Sequence, residues 1–471
     1  MSAPARPRRT LLRRALPFAL ALGIWLAPVP EGLTPQAWHL FAIFASAIFS
    51  VILGSFPLLT SAMLAVAAAV ITRTVAPAKA FGGFSNGSVL LVVVAFLVAR
   101  SVVKSGLGRR ISLRVVSLFG RSTLGLAYSI FVTDALIAPA FPSNTARGGV
   151  LYPIVLSLAE GAGSKPDDPA RRRLGGFLMF CGMTSLSVSS ALWLTATSAN
   201  PIGVEVAQRL GLAIGFGSWL AAASVPALST ILLLPLVLYR LFPPDLKTTP
   251  EAPAAAREAL RSMGPLSRDE KVVAAAFGLM VAGWVLAGTL RLDTTSVAFA
   301  GLGALLATSV LTLDDLAREG DTLSTFLWLA VLFALSGQLN ELGFMGYLGE
   351  RLATRLAGLS WPVAYVALVA IYVLLHYLFV SQSAQVLALF GVFLDVGVRS
   401  GVPLPLMAFA LLFASSYFST ITPQGGSQNV IFVGSAYLRQ GELYRLGVLT
   451  TAFCFLVFML VGTPWILFVS R

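Results

Sequence analysis

The chain has 471 residues, 57% of them hydrophobic and only 11% charged. Soluble domains carry about 25% charged residues, so a water-facing globule is excluded. The net charge of +13 is confined to short loops between apolar runs, the positive-inside pattern of a membrane protein and not the basic face of a nucleic-acid binder.

Apolar runs long enough to cross a bilayer recur throughout. Arg6, Arg8, Arg9, Arg13 and Arg14 precede the first run at 15–29. The start mimics a signal peptide, but no small-x-small cleavage site follows, so an uncleaved first helix is expected. Spans follow near 36–53, 57–76 and 87–104, then an amphipathic, arginine-rich segment at 106–121. Two half-length arms, 122–140 and 147–162, flank Pro142-Ser143-Asn144-Thr145. Runs at 173–212 and 216–240 end the first half, and a polar linker at 243–270 separates it from the second. Spans near 271–290, 295–312 and 322–338 come next, then an amphipathic segment at 343–358. Arms at 362–380 and 384–399 meet at Ser381-Gln382-Ser383, and runs at 405–438 and 446–469 finish the chain. Trp25, Trp38, Trp219, Trp361 and Trp465 lie near run ends, where headgroup-level rings are expected.

The second half repeats the first. Gly106 aligns with Gly343, Ser143-Asn144-Thr145-Ala146 with Ser381-Gln382-Ser383-Ala384, and Thr195-Ala196-Thr197 with Thr420-Ile421-Thr422. The basic loop at 100–121 has a near-neutral counterpart at 337–358, so the halves are expected in opposite orientations, with the N-terminus in the cytoplasm. The expected fold is an all-α polytopic membrane protein, an inverted-repeat transporter with about 11 transmembrane helices, two re-entrant hairpins and two broken helices. Its parts would be a basic N-terminus and first helix at 1–35, a first repeat at 36–242, a cytoplasmic linker at 243–270 and a second repeat at 271–471. The first repeat holds the hairpin 122–162 and the broken helix 173–212. The second holds the hairpin 362–399 and the broken helix 405–438.

Chemistry concentrates at four interruptions. Each hairpin tip ends one half-helix and starts another, and Ser, Asn and Thr there can cap free N–H groups. Non-helical backbone at membrane depth is tolerated only against protein or a water-filled cavity. One long run passes through Thr195, Thr197, Ser198, Asn200 and Pro201, and the other through Thr420, Thr422, Pro423, Gly425 and Gly426. Proline and paired glycines cannot continue a helix smoothly. Half-helix N-termini attract anions, and unwound carbonyls and hydroxyls suit a hard cation such as sodium. No acidic residue falls at a tip or a break, so an anionic solute is favoured. Arg147 is the cation near a tip, with either a charge role or an anchoring role, and Asp134 is positioned to pair with it. Glu205 and Arg209 read as a structural i, i+4 pair, and His376-Tyr377 as a packed polar pair. Cys181 and Cys454 lie inside apolar runs and read as core residues. With His39 and His376 as the sole histidines, no transition metal is expected.

At these residues the chain resembles the divalent anion/sodium symporter family, the INDY-type di- and tricarboxylate carriers. Pro142-Ser143-Asn144-Thr145-Ala146-Arg147-Gly148-Gly149 is similar to that family's Ser-Asn-Thr tip, as found in the branch of 2-oxoglutarate/malate translocators and citrate/succinate antiporters. His376-Tyr377-Leu378-Phe379, then Ser381-Gln382-Ser383-Ala384, is similar to the second tip. The resemblance implies a homodimer with a fixed scaffold and a mobile, elevator-type transport domain. It implies a dianion held by Ser143, Asn144, Thr145, Ser381, Gln382 and Ser383, near Asn200, Pro201, Thr422 and Pro423. It also implies one sodium beside Ser143, Asn144 and Ala199, and a second beside Gln382 and Thr420. Gln382 and Ser383 stand where the symporters carry Asn and Thr, and Ser198-Ala199-Asn200-Pro201 replaces their Thr-Pro pair.

The expected function is secondary transport of small dianions, foremost C4–C5 dicarboxylates such as succinate, malate, fumarate or 2-oxoglutarate, across the inner membrane. Exchange and sodium symport both remain open. Sulfate or another inorganic dianion is the alternative cargo, and an anion channel is a remote one. A membrane enzyme would need paired acids, a nucleophile with its base, or a metal cluster at depth, and none is present in the sequence.

Overall fold

The computed structural model describes residues 7–166, 169–355, 358–379 and 381–471; Arg6 of the basic start lies outside them. The architecture is helical, with no strand among the described residues. Among the described residues, eight helices are long and apolar enough to cross a membrane, and Leu58–Ile71, Thr294–Ala307 and Leu404–Tyr417 are shorter apolar helices.

In chain order, α1 is Pro7–Leu26, α2 Pro35–Ile52, α3 Leu58–Ile71, α4 Gly87–Ser105 and α5 Leu107–Phe119. The first hairpin is α6 (Thr123–Ile137) and α7 (Asn144–Gly161). The first broken helix is α8 (Gly175–Leu192) and α9 (Ala199–Arg209), and α10 (Phe216–Leu241) closes this half. The second half runs α12 (Arg268–Val285), α13 (Thr294–Ala307), α14 (Gly320–Glu341) and α15 (Phe344–Arg355). Next come α16 (Trp361–Leu375), α17 (Gln382–Gln385), α18 (Gly391–Arg399), α19 (Leu404–Tyr417), α20 (Asn429–Val433), α21 (Gln440–Val457) and α22 (Thr463–Val469). The polar linker at 243–270 is partly helical. It contains α11 (Ala252–Ser262), whose Arg257 donates to the Ser117 carbonyl. Alanine supplies both the helix propensity and a small face that packs on α5.

The internal repeat is visible in local geometry. The turns before α5 and α15 both pass through left-handed glycines, Gly106 at φ +78° and Gly343 at φ +82°, a conformation that glycine adopts without steric cost. Arg110 on α5 pairs with Glu270 at 2.5 Å and also donates to the Gly264 carbonyl. That guanidinium holds the Glu270 carboxyl below the ordinary glutamate range and fixes the linker against α5.

The core is built on the broken helices. Every residue of α8 is buried, although it carries Thr184, Ser185, Ser187, Ser189 and Ser190. A helix enclosed on all sides belongs at the centre of the molecule. Ser187 bonds Ser419 at 2.6 Å, which joins the two repeats there. Trp219 differs from its expected headgroup position. It is fully buried, donates to the Ala191 carbonyl and packs edge-on against Phe413, because α10 lies directly on α8. Cys181 and Cys454 are buried and free.

Candidate functional site

The two tips are built alike. In the first, a 3-10 turn at Ala138–Ala140 leads to extended Phe141 and to Ser143, whose hydroxyl accepts from the Ala146 N–H at the start of α7. In the second, a 3-10 turn at His376–Leu378 leads to extended Phe379 and to Ser381, whose hydroxyl accepts from the Ala384 N–H. Each serine is an N-cap, satisfying one orphan donor of the helix that follows. The tips meet. Asn144 Nδ2 lies 3.4 Å from Gln382 Oε1, and these residues occupy matching repeat positions.

The two breaks are also built alike. Asn200 Nδ2 donates to the Ser190 carbonyl at 2.8 Å and to the Trp193 carbonyl at 3.1 Å. Asn429 Nδ2 donates to the Ser419 carbonyl at 2.6 Å and to the Thr422 carbonyl at 2.9 Å. Each asparagine therefore ties the unwound backbone behind it, and each leaves a buried Oδ1 without a protein partner. This geometry corrects the repeat register at the breaks. Asn200 matches Asn429, and Trp193 matches Thr422, so Thr195-Ala196-Thr197 is not the counterpart of Thr420-Ile421-Thr422. Runs of threonine aligned by type; the stapling amide fixes the true phase.

Tips and breaks interlock. Ser198 N–H donates to the Pro142 carbonyl, Ser198 and Ser383 hydroxyls lie 2.8 Å apart, and Gln382 Nε2 donates to the Ser415 carbonyl at 2.8 Å. Ser143, Ser381, Gln382, Thr422 and Pro423 are partly exposed, and Thr145 is exposed. Ser383 is buried with Asn200, Pro201, Ala199 and Thr420. Asn200 has its amide hydrogens committed to backbone, and Thr420 Oγ1 lies 3.3 Å from Thr451 Oγ1. The structure thus brings the two tips to one place. It sets the polar residues of the breaks behind them as support.

Two buried side chains, one in each repeat, stand behind the tips. Arg147 is fully buried and pairs with buried Asp134 at 3.1 Å. Its guanidinium also donates to Ser189 and Ser190 at 2.5 Å each, to Asn144 Oδ1, and to the Leu186 and Ala196 carbonyls. Asn144 Oδ1 also accepts from Ser190 at 2.8 Å, so the Asn144 amide N–H groups are turned toward the opposing tip. In the second repeat, His376 plays a part that reading it as a packed pair with Tyr377 missed. Its Nδ1 lies 2.6 Å from Gln385 Oε1 and its Nε2 lies 2.5 Å from the Gly425 carbonyl of the break. Gln385 Nε2 donates to the Tyr372 carbonyl, which fixes Oε1 toward the ring. The ring thereby bridges the second hairpin and the second break, its Nε2 facing the Gly425 carbonyl. The repeat itself carries the signal for Gln385, which occupies the position of Arg147. Farther out, Glu205 and Arg209 form the expected pair at 3.8 Å, and Glu205 also accepts from Ser88 on α4 at 3.0 Å.

Paired helix ends meeting in a helical membrane bundle, with neutral donors at the tips, are the architecture of a multi-pass membrane transporter. The chain matches the sodium:sulfate symporter transmembrane region over residues 8–470 and belongs to that family. It is 38% identical to dicarboxylate transporter 2 of spinach chloroplasts, covering 96% of this chain and 82% of that one. It is 31% identical to the citrate/succinate antiporter of Escherichia coli K12, covering 94% and 95%. The YdaH transporter of Alcanivorax borkumensis shares the fold at 17% identity, with a TM-score of 0.57 over 82% of this chain and 87% of that one.

Proposed function

We propose that this protein exchanges C4–C5 dicarboxylates such as succinate, malate, fumarate and 2-oxoglutarate across the inner membrane. The observation that carries this reading is the meeting of the tips at Asn144 and Gln382, with hydroxyls of Ser143, Thr145 and Ser381 around them. A dianion entering there meets amide and hydroxyl donors and the N-terminal ends of two helices, which replace its lost hydration. The relatives' names, dicarboxylate transporter and citrate/succinate antiporter, point to the same cargo. The site would carry its load in an elevator movement of hairpins and broken helices against a dimeric scaffold, with the N-terminus in the cytoplasm.

Exchange is preferred to sodium symport on a specific ground. The resemblance expects a sodium beside Ser143, Asn144 and Ala199, yet Arg147 already offers positive charge to Asn144 and to the Ala196 carbonyl. The resemblance expects a second beside Gln382 and Thr420, and His376 donates into that break at Gly425. Protein donors, the Arg147 guanidinium at the first break and the His376 ring at the second, thus already engage carbonyls that a bound ion would need. A second reading, sodium-coupled sulfate uptake, draws on the family's own description. Proteoliposomes separate them. Labelled succinate should enter vesicles preloaded with succinate or malate at equal rates with and without sodium, and enter empty vesicles slowly. Strict sodium dependence, or competition by sulfate as strong as by succinate, would overturn the proposal.

A further inference from the structure

A large cavity lies away from the tips. It is a crevice of about 1000 Å³ between α7 of the first hairpin and the two amphipathic helices α5 and α11. That is the upper end of the roughly 300–1000 Å³ range of small-molecule pockets. Its walls are apolar, with Val102, Leu113, Val150, Ile154 and Leu158 among them, and its charged lining residues are Arg109, Arg173 and Glu251. Neither arginine side chain has a hydrogen bond, ion pair or ring contact among the described residues. Their neighbours are all engaged: Arg110 with Glu270, Arg171 with Glu442, and Arg172 over the Phe242 ring at 5.2 Å.

The setting is that of a membrane surface. Helix α5 exposes Leu118 and Phe119 beside its arginines, the composition of a helix lying at headgroup level. A free dianion gains little in an apolar crevice, where few donors replace its water. An anion that carries its own hydrocarbon gains from both the walls and the rim. We propose that this crevice is a binding site for one anionic phospholipid, its phosphate at Arg109 and Arg173 and an acyl chain between α7 and α5. The lipid would then fill the seam between a hairpin arm and the helices against which it packs. The site is independent of which solute is carried.

Native mass spectrometry of the purified full chain, titrated with dioleoylphosphatidylglycerol or dioleoylphosphatidylcholine, tests it. One phosphatidylglycerol per chain should be retained in preference to phosphatidylcholine. The double variant R109Q/R173Q should bind it roughly thirtyfold more weakly, the worth of two arginines at a membrane surface. The control R114Q/R261Q removes the same charge from α5 and α11 outside the crevice and should retain the lipid. In vesicles, exchange by the wild type should slow several-fold when phosphatidylglycerol is omitted, while R109Q/R173Q should be insensitive to it. Equal loss of lipid in both double variants, or equal retention of the two lipids, overturns the site. Unchanged phosphatidylglycerol retention by R109Q/R173Q, with succinate uptake reduced equally in both vesicle types, would instead make the crevice an entry path for the dianion and also overturn the lipid proposal.

Discussion

Asn144 has its carbonyl oxygen engaged before any solute arrives. Oδ1 accepts from Arg147 and from Ser190, so the side chain cannot flip, and it presents N–H groups to the gap between the tips. Asn144→Ala should therefore reduce succinate uptake to background while the protein still inserts and elutes as a single species; uptake at the wild-type rate would remove the first tip from the site. Arg147 asks for a different experiment because it serves fold and charge together. Asp134→Asn alone strands a buried guanidinium, and breaking such a pair costs about 3–5 kcal/mol, so yield after detergent extraction should collapse. The double variant D134N/R147Q removes both charges at similar volume and should recover the folded peak, yet it should not exchange. Recovery of both folding and exchange would confine Arg147 to an anchoring role. Arg147 was legible in the sequence because it stands three residues beyond the tip asparagine. His376 was not, since one of its partners, the Gly425 carbonyl, comes from a break 49 residues away.

Among the elements, the breaks show why composition locates an interruption but does not phase it. Pro423 and the two glycines after it announce that no helix continues, and clustered hydroxyls announce the same for 193–198. What holds each break in shape is one asparagine reaching back to two carbonyls, an interaction that depends on how the chain turns. The polar linker shows the converse: its charge and proline mark it as a connection, while the alanine-rich stretch between them is enough to form α11 against α5. If the staples are equivalent, Asn200→Ala and Asn429→Ala should destabilise by similar amounts. Each strands a buried carbonyl, that of Ser190 or Ser419, and a partly exposed one, and leaving buried polar groups unsatisfied costs about 1–3 kcal/mol. Thermal unfolding of the two variants in one detergent checks this; a loss in one and none in the other would break the equivalence of the repeats.

Across the whole molecule, the two repeats are alike in their parts and unlike in their spacing. On the side of the basic loops a crevice of about 1000 Å³ separates α7 from α5 and α11. On the side of the second hairpin, α15 lies directly on α18: a Cβ built at Gly349 would fall 2.0 Å from an Asp395 carboxylate oxygen. The tips share this inequality, for Thr145 is exposed while Ser383, at the matching position, is buried. In the proposed elevator cycle the two tips exchange exposure. Both native cysteines are buried, so introduced cysteines can be read against a silent background. Thr145→Cys should react quickly with a membrane-impermeant maleimide supplied on the side of the basic loops, and Ser383→Cys slowly from either side. Succinate at saturating concentration should protect Thr145→Cys several-fold, because the solute would occupy the space that the reagent must enter. Sulfate at the same concentration should protect weakly. Fast labelling of Ser383→Cys from the basic-loop side would show that both tips face one aqueous space, and protection by sulfate equal to that by succinate would move the cargo to inorganic dianions.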